Sequence, residues 1–84
     1  MKLRSTKNYP TESKITLTTH SGITYDFPYR FMSPVPGPIN PIKRVYVDPE
    51  LAREAVTYVL KSGHEGAVHI DHAVEIAERL HHIT

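Results

Sequence analysis

The sequence predicts an α+β fold: a single small domain with an N-terminal antiparallel β-hairpin, a short third strand, and two C-terminal helices packed on one sheet face. Three observations predict it. Residues 14–27 alternate between apolar and polar side chains around Ser21-Gly22, as a half-buried hairpin does. Residues 28–42 hold five prolines, which exclude both helix and interior strand. Residues 48–62 and 71–83 carry helix-start chemistry followed by apolar residues at helical spacing.

Each element follows from its residues. Residues 1–13 are polar, contain Pro10 and show no periodicity, so they read as a flexible basic arm. In 14–27, a two-residue loop would put Leu17 opposite Asp26. A three-residue loop, His20-Ser21-Gly22, instead pairs Thr19 with Ile23, Leu17 with Tyr25 and Ile15 with Phe27. It gathers the apolar side chains on one face and places Gly22 where the turn needs a left-handed residue. A one-residue slip would invert a whole strand, so the three-residue loop is the expected register.

Within the loop 28–42, Pro34-Val35-Pro36-Gly37-Pro38 should be extended or polyproline-like, and a loop this long in so small a domain is uncommon. Tyr29, Phe31, Met32, Val35, Ile39 and Ile42 within it need apolar surroundings, which argues against disorder. Lys43 to Val47 reads as a short strand. Asp48-Pro49-Glu50 is an N-cap, a proline at the first helical position and an acid in the first turn, so a helix is expected over 48–62, stopped at Gly63. Residues 67–70 fit either a strand or the entry to the next helix. Asp71 then caps a helix over 71–83, with Ile70, Ala73, Val74, Ile76, Ala77, Leu80 and Ile83 on its apolar face. No internal repeat is visible.

Size and charge bound the function. Eighty-four residues make one domain with a thin stability margin, and self-association would add buried area. There are no cysteines, which excludes disulfides and thiolate metal sites. No apolar run approaches a membrane span, and Met1-Lys2-Leu3-Arg4 is not followed by a signal-peptide core, so a cytoplasmic location is expected. The net charge of +1 conceals an asymmetry. Residues 1–47 carry seven cations against two acids, a net of +5; residues 48–84 carry three against seven, a net of −4. Such a dipole attracts an anionic partner at one end, and equally a second copy of the chain.

Catalytic chemistry finds no foothold. There is no nucleophile elbow, and the four glycines are too dispersed to cradle a phosphate. No enzyme activity and no cofactor are expected. Five of the six histidines lie in the last third, but only His72, Glu75 and His82 share a stripe that could ligate a metal. Arg79 sits within that stripe, so no metal is expected. The same histidines would respond to pH near neutrality.

Two surfaces remain. Tyr29, Arg30, Phe31, Met32 and Val35 form the candidate partner-binding patch, because aromatics, Met and Arg are enriched in interfaces and prolines reduce the cost of ordering a loop. Lys43, Arg44 and Arg4 are the candidate anion-binding residues. The expected function is a small non-enzymatic binding or regulatory protein, of the accessory or inhibitor type found in bacteria and phages, acting by occupying a partner protein's surface. The alternatives are a nucleic-acid-binding regulator using the basic N-terminal half, and an oligomer that sequesters a small anionic ligand.

Overall fold

The computed structural model describes residues 1–82. Its strands are β1 (Leu3–Tyr9), β2 (Lys14–Thr19), β3 (Thr24–Pro28), β4 (Ile42–Val47), β5 (Ala55–Leu60) and β6 (Glu65–His69), followed by the helix α1 (Ile70–His82). They form two three-stranded antiparallel sheets, β1-β2-β3 and β4-β5-β6. This overturns the expected hairpin, third strand and two helices: there are six strands, and α1 is the one α-helix among the described residues.

The hairpin register is the one the turn chemistry dictates. Leu17 faces Tyr25 and Ile15 faces Phe27. Thr19 N–H donates to Ile23 O (2.9 Å), closing the His20-Ser21-Gly22 loop, and Gly22 takes φ +92°. Ile23 itself points to solvent.

Residues 1–13 are not an arm. Leu3 to Tyr9 adds a third strand to the hairpin, and Pro10 to Glu12 makes one 3₁₀ turn into β2. Only Leu3 of this strand is buried, while its other positions carry polar or aromatic side chains. With so little apolar alternation the strand leaves no periodic signal. Its backbone groups still find partners in β2, and that is what orders it.

Residues 48–62 are not a helix. Asp48 does cap, its Oδ1 accepting Glu50 N–H (2.9 Å), but the turn it caps lasts only from Pro49 to Leu51. Ala52 and Arg53 then take left-handed φ values of 56° and 57° and reverse the chain into β5. β5 is buried along both faces, with Thr57, hydrogen-bonded to Asp48, as its polar position. Val56, Tyr58 and Leu60 face the core, and Ala55 and Thr57 are buried on the other side. An apolar run of that kind satisfies helical and strand periods alike. Its β-branched and aromatic content, Val56 to Val59, suits a strand once β4 and β6 pair on either side of it. Gly63 is therefore a hairpin residue at φ +95°, not a helix stop.

Residues 65–69 resolve as strand, and α1 begins at Ile70. The cap of α1 is His69, whose Nδ1 accepts Asp71 N–H (3.1 Å), rather than the expected Asp71. Ile83, the expected helix end, lies outside the described residues.

The two sheets are repeats of one another. β2 begins at 14 and β5 at 55, β3 at 24 and β6 at 65, an offset of 41 in both cases. In each half a proline-led 3₁₀ turn ends in a left-handed residue, Ser13 or Ala52. Each then has a central strand and a three-residue loop ending in a left-handed glycine. Even the bulges repeat. Arg4 is the extra residue of β1 against β2, and Lys43 the extra residue of β4 against β5. The sequence hides this because the positions share turn geometry and burial, not residue identity.

β1 lies beside β4, and α1 packs on both β3 and β6. Leu3 N–H donates to Arg53 O (2.7 Å) and the Arg53 guanidinium donates back to Leu3 O (3.2 Å), tying one sheet to the other. One core results: Ile15, Leu17 and Phe27 from the first sheet, Val56, Tyr58 and Leu60 from the second, with Ala73 and Ile76 of α1 inserted. No buried side-chain nitrogen or oxygen among the described residues lacks a hydrogen-bond partner.

Candidate functional site: a tethered proline loop and its groove

The loop after β3 is built in three steps. Pro28 ends the strand in an extended conformation, and Tyr29 to Phe31 make a single 3₁₀ turn closed by Met32 N–H to Tyr29 O (2.9 Å). The turn swings Tyr29 and Met32 into the core. The Tyr29 hydroxyl donates to Asn8 Oδ1 on β1, so the start of the loop is held by the first sheet. Burial pushes the Tyr29 phenol above the ordinary tyrosine value, with the Asn8 hydrogen bond opposing it in part.

The second sheet holds the rest. The Tyr58 hydroxyl donates to Pro34 O (2.8 Å). Asn40 and Ser62 bond twice: Ser62 N–H to Asn40 Oδ1 (2.8 Å) and Asn40 Nδ2 to Ser62 Oγ (3.0 Å). Lys61 N–H donates to Pro41 O (2.9 Å). Between these tethers Gly37 and Asn40 exchange backbone bonds of 3.3 and 3.1 Å. The segment from 33 to 41 is thus fixed along its length although it contains no regular structure.

What the tethered loop displays is apolar. Val35 is 57% exposed and Ile39 93% exposed. Beside them runs a groove of about 430 Å³, walled by Pro10, Tyr29, Arg30, Val35, Pro38 and Pro41. Arg30 is exposed, stacked 4.8 Å from the Phe31 ring centroid, and makes no ion pair among the described residues. Phe31 is half-buried, edge-on to Phe27 at 6.3 Å.

The candidate patch therefore divides. The groove brings together Tyr29, Arg30 and Val35, while Met32 belongs to the core and Phe31 serves as a platform for Arg30. Ile39, expected to need burial, is the most exposed large apolar side chain among the described residues. Its signal in the sequence was its position between Pro38 and Pro41, where no period assigns it to a core.

The cations are distributed rather than convergent. Arg4 and Lys43 occupy the two bulges, and Arg44 lies 4.6 Å over the Tyr46 ring. Lys7 and Lys14 flank Tyr9, and Lys14 also meets Asp26 (3.1 Å) and Glu12 (3.8 Å). The hydrogen bond to Asp26 holds the Lys14 ammonium above its usual value. On α1, His72 stacks edge-on against Phe27 at 5.3 Å and Glu75 pairs with Arg79 at 2.9 Å, so neither is aimed at a shared ion. The side chain of His82 lies outside the described residues. Among the described residues, no three His, Asp or Glu side chains converge on one point, and no helix is long and apolar enough to cross a membrane.

Comparison with protein-family models, with curated proteins and with solved structures finds no match to this chain.

Proposed function

We propose that this chain is a small non-enzymatic binding protein that works in the cytoplasm by occupying a partner protein's surface with residues 33–41 and the groove behind them. The observation that supports this is Ile39, held almost fully exposed on a loop tethered on either side of it. An isoleucine in water forgoes about 1.5–3 kcal/mol of burial. A loop already ordered adds little entropic cost on binding. The groove behind the loop sets Arg30 beside Val35 and Pro38, which fits a partner segment that offers an apolar side chain and a carboxylate.

Affinity capture from native lysate, with and without nuclease, tests the reading when run beside Ile39→Asp and Arg30→Glu. The expected result is a partner that survives nuclease and is lost with Ile39→Asp while the melting temperature stays unchanged. A partner that both variants retain sinks the loop as the site. A partner that vanishes with nuclease favours the nucleic-acid alternative, for which the aromatic and cation pairs on Tyr9 and Tyr46 are the supporting feature.

A further inference from the structure

Two sheets have four edges, and three of them are guarded. β1 and β4 lie beside each other, and each carries a cationic bulge, at Arg4 and Lys43. Bulges and charged side chains are the usual means of blocking edge-to-edge pairing. β3 ends in Pro28 and has the charged Asp26 at its middle. β6 has no proline, and its pairing with β5 runs without a bulge.

The hydrogen-bond phase of β6 can be read from its ends. Ile70 N–H donates to Glu54 O (2.8 Å) and Leu60 N–H to His64 O (2.8 Å). Bonded pairs in an antiparallel ladder alternate. Val56 with Val68 and Tyr58 with Gly66 are therefore the bonded pairs, and the N–H groups of Glu65, Ala67 and His69 point away from β5. The side chains of these same three residues are exposed.

We propose that β6 pairs antiparallel with β6 of a second copy of this chain about a two-fold axis at Ala67. This register engages all three outward-pointing residues. It sets Ala67 against Ala67 of the second copy, and Glu65 against His69 on both sides of the axis. The strand is thus complementary to itself in hydrogen bonding, an imidazole donor facing a carboxylate acceptor on both sides of the axis. The geometry of His69 suits the role. Its Nδ1 accepts Asp71 N–H, so the neutral ring carries its proton on Nε2, available to a carboxylate opposite. The His69 carbonyl opens α1, so the pairing supplies about four backbone hydrogen bonds rather than the full six. The contact is isologous and closes as a dimer.

Sedimentation equilibrium of the full chain from roughly 10 μM to 1 mM tests this, a range suited to a contact of modest area. The mass should rise from 9.5 kDa toward twice that value. Ala67→Pro should hold it at one chain, with an unchanged melt, because proline is tolerated where a strand's N–H faces outward. Glu65→Lys and His69→Glu should each weaken association at least tenfold. Mixed in equal amounts the two should associate again. The lysine introduced in one copy then faces the glutamate introduced in the other, while the remaining native His69 faces the remaining native Glu65. Concentration-dependent slowing of amide exchange at Glu65 and Ala67 should accompany the native dimer. A chain that stays monomeric to 1 mM overturns the proposal. So does a dimer that Ala67→Pro or the charge variants leave intact, or a mixture that fails to recover.

Discussion

Tyr58 on β5 lies directly across from Gly66 on β6, and its ring occupies the space a side chain at 66 would need. A Cβ at Gly66 would overlap the ring and come within 2.8 Å of the Ser33 carbonyl oxygen. The glycine lets the ring lie flat on the strand, a pairing that compensates a glycine with an aromatic. From there the hydroxyl reaches Pro34 O and holds the proline loop. One cross-strand pair thus links the core of the second sheet to the candidate binding surface.

Gly66→Ala should lower stability by about 1–3 kcal/mol, the cost of forcing volume into a packed site. Gly37→Ala, where a Cβ meets nothing within 4 Å, should stay within about 0.5 kcal/mol of the native chain. Urea unfolding of the two variants measures the difference, and equal losses would contradict the overlap.

Tyr58→Phe keeps the ring over Gly66 but removes the tether to Pro34. The expected loss is about 1 kcal/mol of global stability. Amide exchange over residues 33–41 should quicken more than exchange in β2. Partner affinity should fall because the loop is no longer held in place.

Burial pushes the phenols of Tyr29 and Tyr58 above their ordinary value of 10.0. The folded state therefore favours the protonated form. The stability this confers is complete below pH 10 and is lost as pH rises through the folded values. Chemical denaturation between pH 8 and about 11.5 should show a decline confined to the alkaline end. Tyr29→Phe and Tyr58→Phe should each flatten it.

The repeated left-handed positions should respond in opposite directions. Gly22 at φ +92° has open space around it, so Gly22→Val should cost about 1 kcal/mol or more through backbone strain alone. Ala52 at φ 56° already bears such strain, and Ala52→Gly should gain roughly 0.5 kcal/mol. Thermal melts of the pair report both signs.

The sequence by itself determined the turns. His20-Ser21-Gly22 set the register of β2 and β3, Asp48-Pro49 made its capped turn, and the periodic run after Ile70 made α1. These are local matters: a left-handed glycine, a fixed proline φ or a cap acts within a few residues. Tertiary structure decided where chains met. β1 is a strand because β2 offered it backbone partners, although its own side chains gave no periodic signal. β5 is a strand rather than a helix because Val45 and Val68 flank it in the sheet, and its two-faced burial erased the period that would have told the states apart. The candidate site divided on the same ground. Tyr29 and Met32 went inward because the 3₁₀ turn aims them at the core, while Ile39 stayed in water between the tether at Pro34 and that of Asn40 to Ser62 in the loop of the second sheet's hairpin. Apolarity alone cannot distinguish a side chain that completes a core from one displayed to a partner. The difference lies in the space around it, which only the folded chain defines.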